Sequence, residues 1–124
     1  MKVFVRITHF SPILLVCDSG AMALPKLTGK APIQTSDTCV AIRNATGNGL
    51  ITRLVVTDEL AARAGDLVCR QWISTPNRVV VVCSVLLETY ATVITRTNRS
   101  LVKVFTNDPL VPDRVVVVVG EQKR

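Results

Sequence analysis

Aromatic residues and histidine are scarce in this chain, and each scarcity narrows what the protein can be. The sequence contains three Phe, one Tyr, one Trp and one His. The hydrophobic core therefore has to be built from Val, Leu and Ile, which pack through shape and volume without aromatic stacking to fix one arrangement. The single histidine, His9, lies in an N-terminal segment whose structure the sequence leaves open, so general-base catalysis near neutral pH finds little support.

Motifs for nucleotide binding, nucleophilic catalysis and zinc coordination are also missing. Gly47-Asn48-Gly49 lacks the third glycine and the following helix of a dinucleotide-binding loop. Neither Cys83 nor Ser84 stands in the G-x-S-x-G context of a nucleophile elbow. No two cysteines form the CxxC pair that zinc sites usually need. The sequence therefore predicts a protein that is not an enzyme, with no catalytic residues, no cofactor and no metal ligands.

The four cysteines each lie within an apolar segment. Free cysteine is among the most buried residue types, so this placement favours small core thiols in a reducing compartment. The alternative is a disulfide between two thiols that meet on neighbouring strands. The residues concerned are Cys17, Cys39, Cys69 and Cys83.

The N-terminal segment, residues 1–23, has two interpretations. In the first it forms a strand pair, Lys2–Thr8 and Ile13–Cys17, separated by a turn. In the second it is a signal segment with an apolar stretch and a small-residue cleavage site. The uninterrupted apolar run of six residues, Pro12–Cys17, is shorter than a signal segment needs, and an acid, Asp18, follows it. We favour the strand pair.

The predicted location is the cytoplasm, with secretion the less favoured alternative. Removal of residues 1–23 would leave three cysteines, an awkward number for an oxidising compartment. Two glycosylation acceptors, Asn44-Ala45-Thr46 and Asn98-Arg99-Ser100, fall in predicted turns and matter only if the chain is secreted. No apolar run approaches the roughly 18 residues of a membrane span, so no transmembrane segment is predicted.

Two blocks of consecutive valines dominate the remaining sequence, in Arg78–Leu87 and Arg114–Gly120. Valine loses rotamer freedom in a helix but packs well on a pleated surface, and a run without alternation indicates burial on both faces. Residues Tyr90–Thr97 and Leu101–Phe105 alternate between apolar and polar, which predicts a hairpin of two half-buried strands. We therefore predict one mostly-β domain over residues 1–124, an antiparallel or mixed sheet or sandwich.

Local signals predict three further elements. A capping threonine, two acids and a closing glycine indicate one short helix at about 57–65. The dipeptide Asn48-Gly49 favours a tight hairpin turn between strands Thr38–Arg43 and Leu50–Val56. Proline, glycine and lysine in residues 18–37 indicate an extended basic loop.

Positive charge is concentrated on the predicted sheet. Fifteen Lys and Arg against nine Asp and Glu give a net charge of +6, and Glu88 is the only acid between Leu67 and Thr106. A basic sheet face can follow a phosphate backbone, and Trp72 or Tyr90 could stack a base. This predicts an RNA-binding surface made by Arg70, Arg78, Arg96, Arg99 and Lys103.

Part of this region resembles a known family. Gln71-Trp72-Ile73-Ser74-Thr75, Arg78, Cys83-Ser84-Val85 and Leu101-Val102-Lys103-Val104 are similar to the sheet of RNA bacteriophage coat proteins. Those proteins are small and basic, dimerise through their sheets and bind an RNA hairpin. The resemblance implies a related architecture, although the two C-terminal helices of such coats have no counterpart here.

The leading functional prediction is a small, basic, non-enzymatic β-protein, encoded by a virus, that self-associates and binds RNA or assembles. Valine codons begin with GT, so valine blocks also suit a gene that overlaps an arginine- and glycine-rich reading frame. The alternative is accordingly an overprinted viral accessory protein that binds a host protein or lipid through an apolar sheet.

A homo-oligomer is predicted from the last valine block. The segment has no internal charge or proline, so as an exposed edge strand it would invite pairing with another chain. It must be a central strand of its own sheet or an oligomer interface. The interface residues would be Val115, Val117 and Val119.

Overall fold

The valine blocks and the alternating stretches form strands that pack as a β-sandwich. The computed structural model describes residues 2–8, 12–20, 25, 31–59, 65–108, 110 and 112–121. Ten strands occur in this described part of the chain. They are β1 (Lys2–Ile7), β2 (Ile13–Asp18), β3 (Ile33–Thr35), β4 (Cys39–Arg43), β5 (Thr52–Thr57), β6 (Asp66–Ser74), β7 (Val79–Ser84), β8 (Thr89–Ile94), β9 (Arg99–Thr106) and β10 (Arg114–Glu121).

The strands divide into two five-stranded sheets. Sheet A has the order β1-β5-β10-β9-β6, and sheet B has the order β3-β4-β2-β7-β8. All neighbours are antiparallel except β5 and β10, which are parallel. The prediction of a mostly-β, sandwich-like domain with antiparallel or mixed sheets is therefore confirmed.

One aliphatic core fills the space between the sheets. Leucine, isoleucine and alternate valines from both sheets contribute to it, among them Val80 and Val82 of β7. Leu15 and Cys83 belong instead to a second, smaller buried cluster on sheet B. Residues on both faces of β2 and β7 are thus buried, which explains why these strands have continuous apolar runs instead of alternation.

The last valine block lies in the centre of sheet A. β10 pairs with β5 on one side and β9 on the other, and Val115, Val117 and Val119 are at most 2% exposed in the inter-sheet core. The proposal that these three valines form an oligomer interface is therefore wrong for the folded chain. Because β10 has a neighbouring strand on each side within the chain, its backbone hydrogen-bonding groups do not form an exposed edge.

Two predicted hairpins are not hairpins. β4 and β5 belong to different sheets, as do β8 and β9. Ala45–Asn48 forms a 3₁₀ turn, and Gly49, with φ at 78°, ends it in the left-handed conformation. A type I′ turn would need positive φ at Asn48 as well, and Asn48 is not among the described residues that have it.

The remaining predicted elements are only partly covered. Thr57 belongs to β5, and residues 60–64 of the predicted helix lie outside the described part. The predicted loop 18–37 contains the short strand β3, while its residues 21–24 and 26–30 are also outside the description. The predicted N-terminal strands are β1 and β2, but they lie in different sheets and do not pair with each other.

Candidate functional site

Three connections meet at one end of the sandwich. They are residues 44–51, residues 84–88 and the described residues 107, 108, 110, 112 and 113, and we call this region the loop end. Across sheet A, Arg53 lies opposite both Arg6 and Arg114, so β1 ends here while β5 and β10 begin here. The backbone N–H of Ala45 donates to the Pro112 carbonyl over 2.8 Å, which ties two of the connections together.

The loop end displays most of the exposed large hydrophobic side chains. Nine such residues occur in the described part of the chain, and six belong to these three connections. Single exposed hydrophobic residues are normal on a protein surface, but their concentration in neighbouring loops is characteristic of an interaction site. The six are Leu50, Ile51, Val85, Leu86, Leu87 and Leu110.

The turn from Ser84 to Glu88 is held by hydrogen bonds and contains one strained residue. The buried Ser84 Oγ accepts hydrogen bonds from the backbone N–H groups of Leu86 and Glu88, each over 3.2 Å. The Leu87 N–H donates to the Ser84 carbonyl over 2.9 Å. Leu87 has φ at 64°, a left-handed conformation that costs roughly 1–2 kcal/mol for a residue other than glycine. The turn nevertheless holds Leu86 79% exposed.

A buried polar network fixes the neighbouring connection. The Asn44 Oδ1 accepts from the Thr46 N–H at 2.9 Å, the Thr46 hydroxyl at 2.7 Å and the Thr52 hydroxyl at 3.0 Å. All three residues are almost fully buried. Leu50 and Ile51 lie between these anchor points and remain exposed. The buried hydrogen bonds on either side of Leu50 and Ile51 therefore fix the loop that exposes these two side chains.

A row of three arginines borders the loop end. Arg6, Arg53 and Arg114 are register neighbours on β1, β5 and β10, and all three are exposed. With Leu50, Ile51 and one acid, Asp113, they line a depression of about 540 Å³. The loop end thus combines apolar tips with an adjoining cationic rim.

A second depression, of about 610 Å³, lies at the opposite end of the sandwich; we call it the cationic groove. Among the described residues that line it, Asp58 is the one acid and three are cations. The ends of β5, β6, β8 and β10 and the start of β9 contribute its walls. The lining residues include Asp58, Arg70, Trp72, Ile94, Arg96, Leu101, Lys103 and Gly120.

The structure brings five of the seven predicted nucleic-acid-binding and stacking residues together. Arg70, Trp72, Arg96 and Lys103 line the cationic groove, and the Arg99 guanidinium lies 5.2 Å from the centre of the Trp72 ring. The other two, Arg78 and Tyr90, do not line it. Arg78 is in the turn before β7 with φ at 58°, and Tyr90 packs half-buried against the core.

Sequence reasoning missed the loop end. The residues Val85-Leu86-Leu87 continue an apolar run, so they were assigned to the preceding strand. The chain turns there through a left-handed backbone at Leu87, and leucine gives no signal of that conformation. Serine before an apolar triplet was the one available cue, because serine often bonds to the backbone of a turn.

Three of the four cysteines meet on sheet B. Cys17 lies opposite Cys39 in the register of β2 and β4, and these two and Cys83 are buried as free thiols. A hydrogen bond with the Cys39 thiol, together with burial, raises the pKa of Cys17 from 9.0 to about 12. A hydrogen bond with Cys17 and burial raise the pKa of Cys83, and burial raises that of Cys69.

These thiols are expected to resist alkylation in the folded protein. The thiolate is the reactive form, so iodoacetamide at pH 8 should label at most the half-buried Cys69, and mass spectrometry should find four adducts only in urea. The folded state keeps protons that the unfolded state loses above pH 9.0. The free energy of unfolding should therefore fall as the pH rises from 9.0 to about 12. Rapid labelling of native Cys17, or fewer than four adducts in urea, would contradict this.

Other classes of site find no support in the described residues. No group of three or more His, Cys, Asp or Glu side chains there is placed to hold a metal ion. Within the same residues, no helix is long and apolar enough to span a bilayer.

The fold and the exposed loops define a small β-sandwich with two surface depressions and a cluster of apolar loop tips. The chain is similar to the crystal structure of ComJ from Bacillus subtilis, an inhibitor of the DNA degrading activity of NucA. The TM-score is 0.69 at 5% sequence identity, and the match covers 96% of this chain and 95% of ComJ. No protein family and no curated protein matches the sequence. The likeness concerns the fold.

The comparison corrects the functional prediction made from the sequence. The predicted virus-encoded RNA-binding protein, and its alternative of a viral accessory protein, are both overturned, because the whole chain has the fold of a bacterial inhibitor protein. The partial resemblance to bacteriophage coat proteins is corrected as well. Its segments are divided between two packed sheets: Trp72 and Lys103 lie in sheet A, while Cys83 lies in sheet B.

Proposed function

We propose that this chain is a non-enzymatic protein that binds another protein through its loop end and inhibits it. The observation that carries the proposal is the concentration of six exposed hydrophobic residues on three loops at one end of the sandwich. The whole-length likeness to an inhibitor protein supports the same class of function.

The loop end has the properties of a preorganised interface. Binding is weakened by the entropy lost when loops and side chains become ordered, so loops already fixed by hydrogen bonds lose less. Ser84 and Asn44 supply those bonds from buried positions. Leu86, 79% exposed at the tip of its turn, is suited to fill an apolar pocket on the partner.

The arginine row defines the charge of the partner surface. Arg6, Arg53 and Arg114 adjoin the apolar tips, so the complementary surface carries carboxylates around its apolar pocket. Surfaces that bind DNA phosphates are themselves positive. If the inhibited protein is a nuclease, the chain would contact an acidic region of that enzyme and would not imitate the DNA backbone.

Inhibition of a nuclease is the specific form of the proposal to test, with NucA from Bacillus subtilis as the probe. We expect the purified chain to slow DNA degradation by NucA. The inhibition should increase with added chain and reach its maximum at one chain per enzyme. Leu86→Asp should raise the concentration needed for half-inhibition at least about tenfold, because it removes an apolar anchor and adds repulsion towards carboxylates. A fluorescent DNA substrate gives the rate.

Two variants separate binding from folding. Ile94→Asp alters another highly exposed residue at the opposite end of the sandwich and should inhibit like the unaltered chain. Leu87→Gly removes the left-handed strain, so its urea midpoint should stay the same or rise while its inhibition weakens. The proposal fails if the chain neither forms a complex with NucA in sedimentation experiments nor slows it.

A further inference from the structure

We propose that the cationic groove is a second binding site, which takes an acidic polypeptide segment. It lies at the opposite end of the sandwich from the loop end, so it does not depend on the proposed inhibition. Its walls combine Arg70, Arg96 and Lys103 with the apolar side chains of Leu101 and Ile94.

Like charges stand directly opposite each other in this groove. Arg70 of β6 is the register partner of Lys103 of β9, an arrangement that destabilises a sheet. The register partners that continue this line across sheet A are Val118 of β10, Thr57 of β5 and Lys2 of β1. None of these three residues is acidic. A carboxylate bound between Arg70 and Lys103 would turn this repulsion into two attractions. The fold thus holds two like charges side by side, and a bound anion would stabilise that arrangement.

The aromatic residue of the groove favours a polypeptide over a nucleic acid. A base would have to stack on Trp72, but the Arg99 guanidinium already lies against that ring at 5.2 Å. Asp58 in the wall also opposes a chain that carries a phosphate at every unit. An acidic polypeptide can instead place carboxylates at the cations and apolar side chains against Leu101 and Ile94.

The positive charge of the groove should make the site selective for negatively charged ligands. Three cations line the walls and Arg99 adds a fourth beside Trp72, against one acid, Asp58, among the described lining residues. The depression is open to solvent and includes exposed residues such as Arg70 and Ile94, so salt should screen its attraction. Binding should therefore be strongest at low ionic strength.

Trp72 provides a direct measurement, because it is the only tryptophan of the chain. Poly-L-glutamate is titrated into the full chain at low salt, and we expect a saturable change of tryptophan fluorescence. Poly-L-lysine should produce none. Arg70→Gln and Lys103→Gln should each weaken binding about fivefold, the upper range for an exposed ion pair. Arg6→Gln, a matched change at the loop end, should leave the titration unchanged.

The variants also report on folding. Arg70→Gln relieves the like-charge contact, so its urea midpoint should not fall, and any loss of binding then belongs to the groove. Leu86→Asp should bind poly-L-glutamate normally, which separates this site from the inhibitory one. The proposal is overturned if no titration signal appears, if Arg6→Gln weakens binding as much as Arg70→Gln, or if single-stranded RNA binds in preference to poly-L-glutamate.

Discussion

Replacing Val117 with Lys is expected to abolish the cooperative folding of this chain. Val117 is fully buried in the inter-sheet core, on the strand that separates β5 from β9. An uncompensated charge in a core costs about 3–5 kcal/mol, a large part of the 5–15 kcal/mol that stabilises a typical domain. Urea unfolding followed by circular dichroism should show no native baseline, or a free energy of unfolding lowered by that amount.

Thr92→Lys is the matched control for this substitution. Thr92 is also β-branched and lies in a strand, but its side chain is exposed on β8. Its replacement should change the free energy of unfolding by no more than about 0.5 kcal/mol. A Val117→Lys protein as stable as Thr92→Lys would show that β10 does not occupy the centre of sheet A.

Replacing Asp18 with Ala should produce the second large loss of stability. The fully buried carboxylate accepts hydrogen bonds from the Asn77 backbone N–H at 3.0 Å, the Asn77 side-chain amide at 2.6 Å and the Gly20 N–H at 3.1 Å. These contacts join the end of β2 to the turn before β7. One hydrogen bond to a charged group contributes about 1.5–3 kcal/mol, and contributions from bonds to the same carboxylate do not simply add, so the variant should lose at least about 3 kcal/mol. Thermal and urea unfolding measure it.

Asp37→Ala supplies the comparison, since Asp37 is an exposed acid in the turn between β3 and β4. Its loss should be small, within about 0.5 kcal/mol. Asp18→Asn keeps the shape of the side chain but places its amide against the side-chain amide of Asn77. Its free energy of unfolding should therefore lie between those of the two alanine variants. Equal stability of Asp18→Ala and Asp37→Ala would contradict the anchoring role of Asp18.

Strand identity was readable from the sequence because it depends on local chemistry. The valine runs of β7 and β10 and the alternation in β9 follow directly from the β preference of valine and from the two-residue period of a strand. Concentration of cations also identified four cations that lie in or beside the cationic groove, namely Arg70, Arg96, Arg99 and Lys103. These signals lie within single segments, so no knowledge of the rest of the chain was needed.

Strand partnership was not readable, since it is decided by contacts between distant segments. Asn48-Gly49 has the composition of a hairpin turn, but the buried Asn44 network stabilises a 3₁₀ turn that carries the chain from sheet B to sheet A. The loop end was missed for a related reason. Its hydrophobic residues are as apolar as core residues, and only the tertiary fold leaves them in solvent.

The position of β10 has a consequence for synthesis of the protein. β10 leaves the ribosome after the other nine described strands, yet it is inserted between β5 and β9, which are translated earlier. Until residues 114–121 emerge, the edges of β5 and β9 that face it remain without their partner, and sheet A is two separate pieces. Non-local pairing of this kind slows folding and prolongs the exposure of unpaired, aggregation-prone strand edges. Nascent chains are therefore most exposed to aggregation just before residues 114–121 emerge.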